Sequence, residues 1–276
     1  MRLACDILYK YTDEAVLELL KNGILNLGFT PNFYSIFYNQ LEKSKNDIAY
    51  NEVDVIKIFT KSQKPESIKI FNELYDENSN ESQNKWFKLS INYEFEKKYI
   101  ETIGNSLLLE WSNFNLDFLT QSNFFKNLIN DKSLIYCYLY NQDDLMDQSN
   151  TIYNQFDEKQ SEKKLVKNQY GDIEIDISEN WGRYERVRCV NFLAGSKMYF
   201  GQGFNPVCNL EKMQKFKHSK QLINSVEIEI YPIDKNPNQY RDIQRYYWEF
   251  INESKVKYNK ENQLDFTEWL LSKSKK

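Results

Sequence analysis

FKLSINYEF, residues 87–95, sets Phe87, Leu89, Ile91, Tyr93 and Phe95 in strict alternation with Lys88, Ser90, Asn92 and Glu94. A period of two places successive side chains on opposite faces, so this is a β-strand with one face buried and one wet. LIYCYLY, residues 134–140, lacks that alternation, and its unbroken apolar run suits a central strand buried on both faces. Alternation returns at residues 172–177, 184–192 and 226–231, and residues 107–111 read as one more strand. Strands with a solvated face pair antiparallel more readily than parallel, which points to a mostly antiparallel sheet.

Helical spacing fills much of the rest. A helix is expected over residues 12–23, ending at Gly23, and another over residues 33–41, where Phe33, Ile36, Phe37 and Leu41 follow Pro31. Residues 53–60 are short and β-branched and read as strand, while Ile68, Phe71, Leu74 and Tyr75 suggest a helix over residues 67–75. Further helices are expected over residues 116–129 and 210–216. Near the C-terminus Asn236 can cap with Pro237 in the first turn, and Tyr240, Ile243, Tyr247 and Ile251 form one stripe. Asp265 with Glu268 makes a variant capping box before Trp269. Strands and helices do not alternate regularly and no repeat recurs, so the fold class is α+β: a mostly antiparallel sheet with flanking helices and a helical C-terminus. One domain over residues 1–276 is the expectation, with a possible boundary in the polar, aperiodic stretch at residues 76–85.

Composition narrows the function. The chain has 276 residues, 41% of them hydrophobic and 16% aromatic, enough apolar surface for a sizeable core. No apolar run approaches the ~20 residues of a membrane-spanning helix, and Asp6 and Lys10 interrupt the one N-terminal stretch that could act as a secretory leader. These features place the protein in the cytoplasm, away from membranes. Cys5, Cys137, Cys189 and Cys208 form no C-x-x-C pair, so reduced thiols are expected and neither a metal nor a cofactor. A net charge of −4 gives no general attraction to nucleic acid. The lone histidine, His218, lies among lysines with no neighbouring acid to orient it as a base. Gly201-Gln-Gly203 lacks the lysine and third glycine of a phosphate loop, and no G-x-S-x-G is present. No catalytic residue is assigned.

Acidic residues remain as the candidates. Asp143, Asp144 and Asp147 follow the central strand. Asp172, Glu174 and Asp176 line one strand face, and Glu227 and Glu229 line another. Six arginines stand against 30 lysines, and Arg186 and Arg188 fall where a hairpin over residues 178–183 would set them opposite Glu174 and Asp172. That pairing would neutralise the first acidic face. It leaves Glu227 and Glu229 as the outward acidic surface, with Tyr231 adding contact area and Asp143, Asp144 and Asp147 as a further partner-binding surface.

LIYCYLYNQDDLMDQSN, residues 134–150, and KMYFGQGFNPVCNLEKMQKF, residues 197–216, resemble patterns found among immunity proteins of bacterial polymorphic toxin systems. The resembling positions are apolar and glycine residues such as Met198, Phe200, Gly201 and Phe204, which mark a fold and carry no reactive role. The resemblance implies a cytoplasmic, stoichiometric inhibitor that occludes the active site of a cognate protein toxin. An acidic inhibitor surface suits a basic toxin, since complementary charge raises both encounter rate and specificity. The competing readings are a carboxylate- or metal-dependent hydrolase and a structural component of a phage or secretion assembly.

Overall fold

A computed structural model describes residues 2–9, 31–38, 43–59, 65–72, 87–95, 104–112, 120–132, 134–156, 162–168, 170–187, 190–204 and 209–254. Its frame is a ten-stranded sheet in which every neighbouring pair is antiparallel. In chain order the strands are β1 (Arg2–Tyr9), β2 (Phe33–Phe37), β3 (Lys45–Ala49), β4 (Ser67–Phe71), β5 (Phe87–Phe95), β6 (Gly104–Ser112), β7 (Leu134–Asn141), β12 (Lys197–Gly201), β13 (Ser219–Gln221) and β14 (Ser225–Glu229). Across the sheet they run β13-β14-β12-β7-β1-β6-β5-β4-β2-β3. Two small hairpins stand apart, β8 (Leu165–Lys167) with β9 (Ile173–Ile175) and β10 (Tyr184–Val187) with β11 (Val190–Leu193). The α+β class is therefore observed, and the large sheet takes strands from both sides of residues 76–85.

β7 is the central strand that its composition implied. All seven residues from Leu134 to Tyr140 are buried, because β1 and β12 flank it and both its faces are covered. One face carries Cys137, Leu139 and Tyr199 into a core shared with Leu89, Ile91, Leu109 and Trp111, sealed by α1 (Glu52–Phe59) and α2 (Asn123–Ile129) through Val55, Ile58, Phe125 and Leu128. The other carries Tyr138, Phe200, Val226 and Ile228 against α4 (Leu210–Met213) and α5 (Arg241–Ser254), whose Tyr247, Trp248 and Ile251 are fully buried. Each such large apolar side chain contributes about 1.5–3 kcal/mol of transfer free energy. Of the stripe read from the sequence, Tyr247 and Ile251 are fully buried on α5, Ile243 is half-buried there, and half-buried Tyr240 lies in the turn before it. Asn236 caps, as expected, a 3-10 turn, Pro237–Tyr240, that leads into it.

Three N-terminal assignments are reversed. Residues 33–37 are strand, with Tyr34 and Ile36 on the helix-covered face, and residues 67–71 are strand, with Ile68 and Ile70 beside them. Residues 52–59 are helix, because Asn51 Oδ1 accepts hydrogen bonds from the Val53 and Asp54 amides and so nucleates the first turn. The expected wet face of β5 also needs correction: Ser90 is buried, and Lys88 is half-buried against Glu110. The helix over residues 12–23, the stretch at residues 76–85 and the capping box at Asp265 lie outside the described residues. Among the described residues no helix is long and apolar enough to cross a membrane.

Candidate functional site

The polar segment after β7 forms α3 (Gln142–Ser149), started by Asn141, whose side chain accepts from the Asp144 amide at 3.1 Å. Its carboxylates do not act as one surface. Asp144 Oδ2 lies 3.1 Å from Arg241 Nη1, and Oδ1 is bonded to Nη2 of the same guanidinium. Arg241 also donates to Gln244 Oε1 and Asn238 Oδ1, each at 2.7 Å. Fully buried Gln244 in turn donates to the Ala194 carbonyl. Asp144 is thus a tie between α3 and α5 and not a free partner-binding group, whereas Asp143 is half-buried and Asp147 exposed.

The surface expected at β14 is also altered by its neighbours. β12 and β13 flank the strand, so Glu229 stands opposite Lys197, with which it forms a 3.2 Å ion pair, and Glu227 stands opposite Lys220. Tyr231 is 1% exposed, beneath the Tyr240 ring, and burial pushes its phenol pKa well up. It offers no contact area to a partner.

The hairpin over residues 178–183 does not form. Residues 184–192, expected as one strand, divide into β10 and β11, which pair with each other and set Arg186 in register with Asn191. β9 turns back onto β8 instead, through a shorter loop. Asn168 organises that loop: its Oδ1 accepts from the Tyr170 and Asp172 amides, and its carbonyl accepts from Gly171, whose φ of +90° suits glycine. The Asn168 amide donates to Glu174 Oε1 at 2.8 Å. Asp172 and Glu174, expected to be neutralised by arginine, therefore have no ion pair among the described residues.

These elements build an arm. Its base is tied down where Asn180 donates to the Gln148 carbonyl, the Tyr184 amide donates to Ser149 Oγ, and Trp248 Nε1 donates to the Trp181 carbonyl. Arg183 stacks over the Trp248 ring at 4.7 Å and the Trp181 ring at 5.7 Å. Gly182 permits this close docking, since a Cβ there would come within 2.5 Å of Arg241 Nη1. Beyond the base, Ile152 is 74% exposed, Phe156 85%, Tyr170 76% and Ile173 52%. Eight of the eleven exposed large hydrophobics among the described residues lie between Met146 and Tyr184. Singly exposed apolar side chains are ordinary, but a concentration marks an interaction surface. The same stretch, residues 146–184, holds eight acids and five bases, a net charge of −3.

An ion pair steadies the hairpin, with Lys164 Nζ 2.7 Å from Asp176 Oδ2. Hydrogen bonding from Lys164, and then from Ser178, holds the Asp176 carboxyl far below the usual carboxylate range, and the bond to Asp176 raises the Lys164 ammonium. A carboxyl lowered on folding adds stability above its unfolded pKa of about 3.9, lost as pH falls toward the folded value. An ammonium raised on folding adds stability below about 10.4, lost as pH rises through the folded value. The arm is expected to be held most firmly between about pH 5 and 10. Amide exchange over residues 172–176, corrected for intrinsic rates, should quicken below about pH 3 in the wild type. Lys164→Ala should flatten that response, and identical profiles for the two proteins would refute the tie.

One charged group escaped the sequence reading. Glu110, 4% exposed on β6, is paired with Lys88 of β5 and accepts from Gln142 Nε2 at 2.6 Å. Alternation marked β5, and residues 107–111 read as a strand, but only their register sets Lys88 opposite Glu110. Among the described residues no group of three or more His, Cys, Asp or Glu side chains converges as a metal centre would require. The fold and site define an antiparallel α+β protein with an acidic, apolar arm projecting beside a ten-stranded sheet. Comparison with family models, curated proteins and solved structures finds no match.

Proposed function

We propose that this chain is a stoichiometric protein-binding inhibitor, an immunity protein that neutralises a cognate bacterial toxin by occluding its active site, and that the toxin is basic. The observation that carries the reading is the coincidence, on one arm, of most of the exposed large apolar side chains among the described residues with a net charge of −3. Buried aromatic and aliphatic anchors supply affinity in protein interfaces, while complementary charge supplies rate and selectivity. Anchoring of the arm base to α3 and α5 limits the ordering cost on binding, as pre-organisation requires.

The test uses the polypeptide encoded beside this chain. The two purified proteins should elute as a 1:1 complex, and the toxic activity should vanish at equimolar ratio. Association should slow as salt is raised through a few tenths molar. Phe156→Ala with Tyr170→Ala should weaken the complex by at least about tenfold without lowering the melting temperature. A pair of proteins that never co-elute, or an inhibitor that works far below equimolar ratio, would overturn the reading.

A further inference from the structure

The hairpin that carries the acidic face also has an open edge. In the β8–β9 register Leu165 faces Ile175, Val166 faces Glu174 and Lys167 faces Ile173. The Asp176 amide donates to the Lys164 carbonyl at 2.8 Å and the Asn168 amide to the Asp172 carbonyl at 2.9 Å. Hydrogen-bonded and non-bonded pairs alternate along an antiparallel ladder, so residues 164, 166 and 168 turn their main-chain groups toward β9. Leu165 and Lys167 therefore turn theirs outward. The opposite strand agrees, because the Ile175 amide points away from β8 to the Thr151 carbonyl, where Ile152 bridges Glu174. Among the described residues, β9 is covered on both sides and β8 on one.

All three residues of β8 are exposed, with Leu165 at 40% and Val166 at 41% presenting apolar surface on both faces of the edge. The two edge strands of the ten-stranded sheet present less apolar surface. β3 begins Lys-Asn-Asp, with Asp47 at φ +52° beside a break in its register, and β13 is Ser-Lys-Gln. Charge selects the occupant. A second copy would bring two arms of net −3 together, whereas a basic protein is attracted to Asp172 and Glu174, which have no ion pair among the described residues. Asp172 and Glu174 share the face of Val166, and from a strand added beside β8 they lie two strand spacings away, about 10 Å. That is within the joint reach of an arginine and a glutamate.

Resting on the inhibitor reading, we propose that an extended segment of the basic partner adds as a strand to the outer edge of β8. It exchanges main-chain hydrogen bonds with Leu165 and Lys167, covers Leu165 and Val166 with apolar side chains, and lays basic side chains toward Glu174 and Asp172. The register makes a sharp test available, because proline at position 167 removes an outward N–H and no bond of the hairpin itself. With the polypeptide encoded beside this chain as the probe, Lys167→Pro should lose at least about tenfold more affinity than Lys167→Ala, at an unchanged melting temperature. In the wild type, residue-resolved hydrogen exchange should show the Leu165 and Lys167 amides protected at least about tenfold on complex formation, a measurement that needs no variant. A complex that leaves both amides exchanging as in the free protein overturns the added strand and leaves the inhibitor reading intact. Absence of any complex overturns the inhibitor reading and this inference with it.

Discussion

Replacing Trp248 with alanine is expected to cost about 3–5 kcal/mol of stability, the range for emptying a large aromatic site in a close-packed core. The ring is wholly buried on α5, meets Tyr247 edge-on, carries Arg183 on its face at 4.7 Å and donates from Nε1 to the Trp181 carbonyl at 2.9 Å. Its loss empties the site and releases the loop that holds the arm. For a chain of this size each kcal/mol lowers the melting temperature by about 2–4 °C, so a drop of at least about 6 °C should appear on thermal unfolding. Trp248→Phe keeps most of the packing and forfeits the hydrogen bond, and should cost less than half as much. Amide exchange over residues 178–185 should rise in the alanine variant beyond the global change. A shift under about 2 °C would show that Trp248 anchors neither the core nor the arm.

The second large effect concerns Asp144, which sequence reasoning placed at a binding surface. Asp144→Ala is expected to cost about 2–3 kcal/mol, less than the 3–5 of a fully buried pair because both side chains keep some solvent contact. The Arg241 guanidinium would be left half-desolvated between Gln244 and Asn238. A double-mutant cycle with Arg241→Ala should give a coupling energy above about 1 kcal/mol, since the groups meet through two hydrogen bonds. Should Asp144→Ala leave the melting temperature unchanged while abolishing complex formation, Asp144 belongs to the interface and the tie between α3 and α5 is not its role.

Strands whose neighbours repeat their pattern were legible. β5, β6 and β7 stand where alternation or an unbroken apolar run placed them, and α5 buries the stripe that includes Tyr247 and Ile251. The three reversals are all short segments, for which apolar spacing over a few residues fits either period. SIKIF holds Ile68 and Ile70 at a spacing of two, a strand signal masked when Leu74 and Tyr75 were counted with it. In EVDVIKIF the β-branched residues suggested strand, while Val55 and Ile58 at a spacing of three are what the sheet buries. The amide cap from Asn51 was the local signal that separates the two.

Sequence alone determined the α+β class, the central position of β7, the amphipathic close of the chain and the acidic strand faces at residues 172–176 and 227–229, because each depends on composition or on periodicity within one segment. Tertiary structure decided which acids are satisfied. Glu227 and Glu229 had no evident partner along the chain, yet β12 brings Lys197 into an ion pair with Glu229 and β13 sets Lys220 in register with Glu227. Asp172 and Glu174 had arginines waiting one hairpin away, yet β9 folded back on β8, and among the described residues they have no ion pair. Electrostatic pairing in a sheet is a property of register between strands, and register follows from which turns close and which apolar faces must be covered. No single segment carries that information.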